Sequence, residues 1–422
     1  MMRTTVVRYW PAAACVAFVG LGCYEWMATA FAFFGSQRLL WFHQDFPALY
    51  TAAHMVAHGS GSLLYDRAAV GAEELRLAGH PVGATGMLAY FNPAFFAALL
   101  APISSIGMDD AYQVWMLLGF VLLGADVVLL WRIGPHLSPR ERALVTLAFL
   151  TLYPVSYGLQ AGQFSLLLMT SWGAAYLLWR SGRDEGAGLA LSPLLIKPEL
   201  LVPVALFVIW KRRWRVLKTL LPVATILIVV SVIVTGVPAA LAYPQYLLHS
   251  GRWSDSGVAT SGMFNWSGIV AMWWDPAKSP QALVAVAVLI VLTLAAVAYV
   301  ARERRGGHAL RPELQWLLLT IATILVDPHL YLQDSVLIVP AAVAVIDGAR
   351  PKQRPWVFAA ALLGWTLLAL GIYPNERLHV DAFALYMVAA AITVVALDWR
   401  RRIRADGRAR RTHQAIAAAG SP

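Results

Sequence analysis

The chain has 422 residues, of which 59% are hydrophobic and 13% charged, with a formal net charge of +10. Soluble domains carry roughly 25% charged residues; here mean hydropathy is +0.63, and apolar runs near the ~20 residues that a bilayer core requires recur from end to end. A soluble globular domain is therefore excluded, the alternation of a membrane β-barrel is absent, and positive charges spread over many short loops argue against nucleic-acid binding.

Those charges give an orientation. Basic clusters at 3–8, 132–142, 179–183, 211–215, 302–305, 350–354 and 399–404 separate the apolar runs, and short basic loops mark the cytosolic side. The first run, about 11–34, then exits outward from a cytosolic N-terminus. It holds both cysteines, Cys15 and Cys23, which form neither a disulfide framework nor a metal site, and it is too long for the core of a signal peptide.

Residues 35–91 form a long outer segment. A short apolar piece at 93–106 follows, bracketed by Pro93 and Pro102. If it crossed fully, the basic loop 132–142 would fall outside, so a re-entrant or interfacial piece is expected, with a short tilted span as the alternative. Spans follow near 110–131, 143–157 and 163–179, then a pair at 187–210 broken at Lys197-Pro198. Further spans lie near 216–236, 281–301, 314–326, 331–346, 356–373 and 380–398. The fold class is an all-α polytopic membrane protein of roughly 11–13 transmembrane or re-entrant helices. One transmembrane domain covers 1–405, with a second outer loop at 237–280 and a basic cytosolic tail at 406–422. No clear internal repeat appears, which argues against transporters built on inverted repeats.

The first outer segment carries its own pattern. In PALYTAAHMVAHG, Leu49, Ala53, Val56 and Ala57 share one helical face. DRAAVGAEELRLAGH reads as a second amphipathic helix with Asp66 as N-cap. Such helices beside spans tend to lie in the interface plane. His54 and His58 are one helical turn apart, but they lack a third ligand and an intervening glutamate, so no metal is expected. Asp45 stands among Trp41, Phe42, Phe46 and Pro47 without a cation beside it. An acid at a membrane boundary is a functional candidate; the alternative is an exposed helix-capping aspartate.

QDFPALYTAAHMVAHGSGSLLYD resembles the first outer loop of glycosyltransferase family 87, a group of polyprenyl-phosphate-mannose-dependent mannosyltransferases of the GT-C superfamily. AYFNPAFFAALLAP at 89–102, GLQAGQFSLLL at 158–168, LSPLLIKPELLVP at 191–203, FNWSGI at 264–269 and DPHLYLQDSVLIVP at 327–340 resemble further family elements in the same order. Phe164, Ser165 and Trp266 depart from the family pattern.

The resemblance implies a GT-C-like bundle and a polyprenyl-phosphate sugar donor, with mannose as the sugar. It implies a lipid or glycan acceptor and transfer with inversion at the outer face of the plasma (inner) membrane. It places Asp45 at the family's catalytic position. An inverting hydrolase needs a second carboxyl as acid, whereas a phosphate leaving group is already acidic, so one base suffices. Lys197, His329 and Arg252 are candidates for the donor phosphate. Asn92, Gln163, Asn265, Tyr331 and Asp334 are candidates for sugar and acceptor hydroxyls. Snorkelling for Lys197, and helix capping or interhelical bonds for the amides, are the plain alternatives. No nucleotide-binding, zinc or nucleophile-elbow motif is present, so no cofactor is expected. A transporter or flippase for an amphipathic substrate, and a non-catalytic membrane scaffold, are the competing classes. Besides Asp45, the acids in apolar surroundings are Glu25, Asp126 and Glu199.

Overall fold

The computed structural model describes residues 2–35, 45–82, 86–249, 260–274, 279–301, 310–371 and 377–399. No strand occurs among them, only an isolated bridge between Met263 and Tyr331. This is what lipid demands, because each backbone polar group must be satisfied within its own helix. The chain opens with α1 (Met2–Phe34). Among residues whose side chains are described, four helices are long and apolar enough to cross a membrane. They are α5 (Met108–Ile133), α11 (Trp214–His249), α13 (Pro280–Ala301) and α17 (Ala382–Trp399). The bent pair α6 (Pro139–Leu150) and α7 (Tyr153–Gln160) makes a fifth if counted as one broken span.

The first outer segment folds as α2 (Phe46–Ala57) and α3 (Arg67–Ala78). The α3 start is as expected: the Asp66 carboxylate accepts from Ala68 N at 2.9 Å and Ala69 N at 3.1 Å. Helix α2 differs from the expected interfacial lip. Phe46 through Ala53 and Met55 are all buried. Small side chains such as Ala48, Ala52 and Ala53 let neighbours approach from every side, so the helix packs into the bundle. The piece after Pro93 is α4 (Ala94–Leu100) with a 3₁₀ turn to Ser105. At 1.5 Å per residue it reaches under about 20 Å, short of a ~30 Å core.

Helix α8 (Ser165–Arg180) and α14 (Pro312–Val326) hold the centre of the bundle. Trp172, Tyr176 and Trp179 of α8 surround Trp316, with centroids 4.8, 5.5 and 5.7 Å away. The Trp172 indole donates to Thr320 Oγ1 at 2.9 Å, so its one donor is satisfied inside the apolar layer. Asp126 on α5 accepts from Thr170 Oγ1 at 2.8 Å. Glu25 on α1 accepts from Ser156 Oγ at 2.8 Å.

The break at Lys197-Pro198 is present as expected. α9 (Asp184–Ala190) leads through 3₁₀ turns at Ser192–Ile196 and Pro198–Leu200 into α10 (Leu201–Trp210). The segment after 236, expected to be loop, continues as helix to His249. Only Gly236 leaves the helical region, at φ 76°. That conformation favours glycine, and it kinks the helix, whose following residues Tyr243 and Tyr246 pack on Tyr65. A short α12 (Trp266–Ala271), then α15 (Ile338–Asp347) and α16 (Arg354–Ala369), complete the order.

Candidate active site

Asp45 occupies the N-cap position of α2, yet its side chain caps nothing. The neighbouring backbone is tied instead to Ala161 O, which accepts from Asp45 N at 2.8 Å and Phe46 N at 3.0 Å. The freed carboxylate accepts from Gln163 Nε2 at 2.6 Å. Gly162 makes this meeting possible. It sits at φ 71°, and a Cβ there would lie 2.5 Å from Phe46 Cβ. Phe46 in turn is wedged against Tyr112 at 5.4 Å and Trp115 at 6.3 Å. Trp41 and Phe42, the other expected neighbours, lie outside the described residues.

The carboxylate faces a cavity of about 240 Å³. Its wall includes Asn92, Gln163, Lys197, His329 and Tyr331, contributed by segments far apart in sequence, together with the rings of Tyr90, Phe91, Tyr157 and Phe164. Burial raises the Asp45 carboxyl above the usual carboxylate range, while the Gln163 amide and the Lys197 charge pull it partly back.

Lys197 stands at the helix break with φ −125°. Its ammonium pairs with the Asp334 carboxylate and lies 5.8 Å from the centre of the Phe164 ring. Asp334 is fully buried and also accepts from Ser165 Oγ at 3.0 Å. Thus Phe164 and Ser165, both departures from the family pattern, meet on the same ion pair. Asp334, a candidate for sugar or acceptor hydroxyls, is not among the residues lining the cavity and pairs with Lys197 instead.

His329 follows α14. Its backbone N–H donates to Asp327 Oδ1 at 2.7 Å, and its ring stacks on Phe91 at 6.0 Å. Burial first, and the Lys197 charge second, push its pKa down to about 4. The imidazole is neutral near pH 7 and can serve as a donor or acceptor, not as a cation. Asn92 donates to Ile196 O at 3.2 Å, tying the 89–92 strip to the Lys197 break. Asn265 is away from the cavity: it accepts from Gly268 N at 2.8 Å to cap α12 and donates to Asp327 O at 2.7 Å. It therefore stitches the 264–269 segment to the loop that carries His329. Arg252 lies outside the described residues.

Glu199 also lines the cavity, although it was not singled out as a site residue. Its signal in sequence is an acid two positions after Lys197 within an apolar run. Of the aromatic rings after Gly236, Tyr243 and Tyr246 pack on Tyr65 at 4.9 and 5.3 Å, and Leu247 of the same helix lines the cavity. Trp273 and Trp274 are exposed, as in an aromatic belt. His54 pairs with Glu73 at 2.9 Å and stacks on His58 at 3.8 Å. Among the described residues, no group of three His, Cys, Asp or Glu is placed to hold a metal ion.

The described residues form a helical bundle with several apolar, membrane-length helices and a polar, carboxylate-bearing cavity. The family description that matches is Glycosyltransferase family 87, over residues 90–328. The match covers more than half of the chain, which belongs to this family of glycosyltransferases. It includes Asn92, Gln163, Lys197 and Asn265; Asp45, His329, Tyr331 and Asp334 fall outside it. No curated protein and no solved structure matches the chain.

Proposed function

We propose that this glycosyltransferase moves a hexosyl group, mannosyl by family resemblance, from a polyprenyl-phosphate sugar to a hydroxyl of a lipid or glycan acceptor. Asp45 is the general base. The observation that carries this reading is that Asp45, Lys197 and His329 line one cavity. The acceptor oxygen attacks the anomeric carbon, and its proton passes to the Asp45 carboxylate. The anomeric carbon–oxygen bond to phosphate breaks on the opposite face, and the electron pair leaves with polyprenyl phosphate. The configuration inverts.

A base near neutral pH works best with a moderately raised pKa, and burial supplies that direction at Asp45. Lys197 meets the phosphate as a point charge, and neutral His329 offers a ring N–H. Asn92, Gln163 and Tyr331 present polar groups to sugar or acceptor hydroxyls. The basic loops, read as cytosolic, support an outer-face position for the cavity, the side on which the family resemblance implies that lipid-linked sugars are presented.

The test is transfer of radiolabelled sugar from a panel of polyprenyl-phosphate donors by the purified protein. Asp45→Asn is expected to lower turnover by about 10²–10⁴-fold while donor binding persists. Undiminished transfer by that variant would remove Asp45 from the reaction.

A further inference from the structure

A second cavity, about 150 Å³, lies between α6, α15, α16 and α17 and shares no lining residue with the first. Its walls are apolar, with Leu144 and Phe149 from α6, Val339 and Val343 from α15, and Phe358 and Trp365 from α16. The polar atoms on its lining rings are already used: the Trp365 indole donates to Ala148 O at 2.8 Å, and the Tyr386 hydroxyl donates to Ala360 O at 2.7 Å. A polar ligand finds nothing there. A hydrocarbon chain does.

Length and charge narrow the occupant. The lining runs along α16 from Phe358 to Leu368, about 15 Å at 1.5 Å per residue. That is half of a ~30 Å hydrocarbon core, the depth of one leaflet. One end is basic. Arg354, one turn before Phe358, pairs with Glu141 of α6 at 3.4 Å, and its Nε is buried with no hydrogen-bond partner among the described residues. Arg140, Arg350 and Lys352 are exposed at the same end. Two other acids lie nearby and both have partners: Asp347 is taken by His136, whose backbone N and Nδ1 lie 2.7 and 2.9 Å from its two oxygens, and Glu313, packed against Gly348, pairs with Arg311 at 3.1 Å.

We propose that this groove holds one acyl chain of an anionic glycerophospholipid from the leaflet on the basic-loop side. The phosphate sits at Arg354, Arg140, Arg350 and Lys352. The site is separate from the transfer cavity and does not depend on the reaction assigned there. Each basic residue near an anionic surface favours binding by about fivefold, so the selectivity is readable.

The experiment uses the full chain in nanodiscs containing phosphatidylglycerol or phosphatidylcholine with a mid-chain diazirine, photolysed and mapped by peptide mass. Phosphatidylglycerol is expected to label the lining of α6, α15 and α16 about tenfold or more above phosphatidylcholine. The surface variant R350E/K352E should erase that preference. Ala361→Trp, which fills the groove, should remove these adducts and leave labelling of α11 unchanged. Equal labelling by both lipids would mean annular lipid only and overturn the proposal. So would a preference that survives the charge reversal, or displacement of the probe by polyprenyl phosphate. If Ala361→Trp does not fold, the surface variant alone decides. None of these readouts involves sugar transfer, so failure here is distinct from failure of the proposed reaction.

Discussion

Gln163 Nε2 donates to Asp45 Oδ2 at 2.6 Å, and both residues owe their meeting to Gly162 and to Ala161 O, which accepts from Asp45 N at 2.8 Å. The amide stabilises the charged carboxylate, while burial destabilises it. A base acts only when ionised, so kcat/KM falls as pH drops through the Asp45 pKa. Because burial is the larger effect, the acidic limb lies above the ~3.9 of a free aspartate. Gln163→Leu removes a hydrogen bond to a charged group, worth about 1.5–3 kcal/mol. The limb should then move up by about one pH unit or more. A pH–rate profile of both proteins measures this; an unmoved limb would show that Asp45 does not titrate in the rate.

The Gly162 turn can be tested by size alone. Gly162→Ala places a Cβ against Phe46 and forces an alanine to φ 71°. The expected cost is at least about 1 kcal/mol from the left-handed backbone, with more from the clash. Thermal unfolding in detergent should drop by several degrees, and transfer should fall further than stability does, because the displaced group is next to Asp45. Equal losses in the two measurements would count against a positioning role for this turn.

Lys197 and Asp334 are a buried ion pair, and breaking such a pair by removing one partner costs about 3–5 kcal/mol. Asp334→Asn leaves the ammonium without its counter-charge, so both stability and transfer should fall. Lys197→Met combined with Asp334→Asn removes both charges, and replacing a buried pair by neutral groups is often tolerated. The double variant should recover most of the lost melting temperature and none of the transfer. Recovery of transfer would show that Lys197 has no part in donor binding.

The apolar helices Met108–Ile133, Trp214–His249, Pro280–Ala301 and Ala382–Trp399 and the break at Lys197-Pro198 were legible because hydropathy and proline act locally. Meetings between distant segments were less so. That Asp334 pairs with Lys197 depends on how the 3₁₀ segment Leu332–Leu337 approaches the break, which no spacing encodes. The helix after Gly236, in a stretch expected to be loop, carries Pro238 and Pro244. The helix holds both prolines, and one glycine makes the kink. The burial of α2 was missed because a face of small residues looks the same whether lipid or protein covers it. Glu74 shows how one position on a helix decides. Its neighbour Glu73 pairs with Arg76 at 2.6 Å on the surface, while Glu74, rotated by ~100°, is fully buried.

Glu74 ties the outer helix α3 to the cavity wall. Its Oε2 accepts from Leu88 N at 2.8 Å, and Leu88 lines the transfer cavity. Its other oxygen is buried without a hydrogen-bond partner among the described residues. Burial raises this carboxyl to about 7, with the Leu88 N–H opposing. The folded state thus holds the proton more tightly than the unfolded chain, whose glutamate titrates near ~4.3. Below that pH both states are protonated, and the neutral carboxyl's contribution to stability is fully present. As pH rises toward about 7 the unfolded state ionises freely while the folded state resists, so stability declines. Above it the loss levels off, at up to about 3 kcal/mol. Glu74→Gln keeps an acceptor for Leu88 N and cannot ionise. Melting temperatures taken in detergent at pH 5 and pH 8 should therefore differ less in the variant than in the parent, with the variant the more stable at pH 8. An identical pH dependence in both proteins would show that Glu74 does not bind its proton differently on folding.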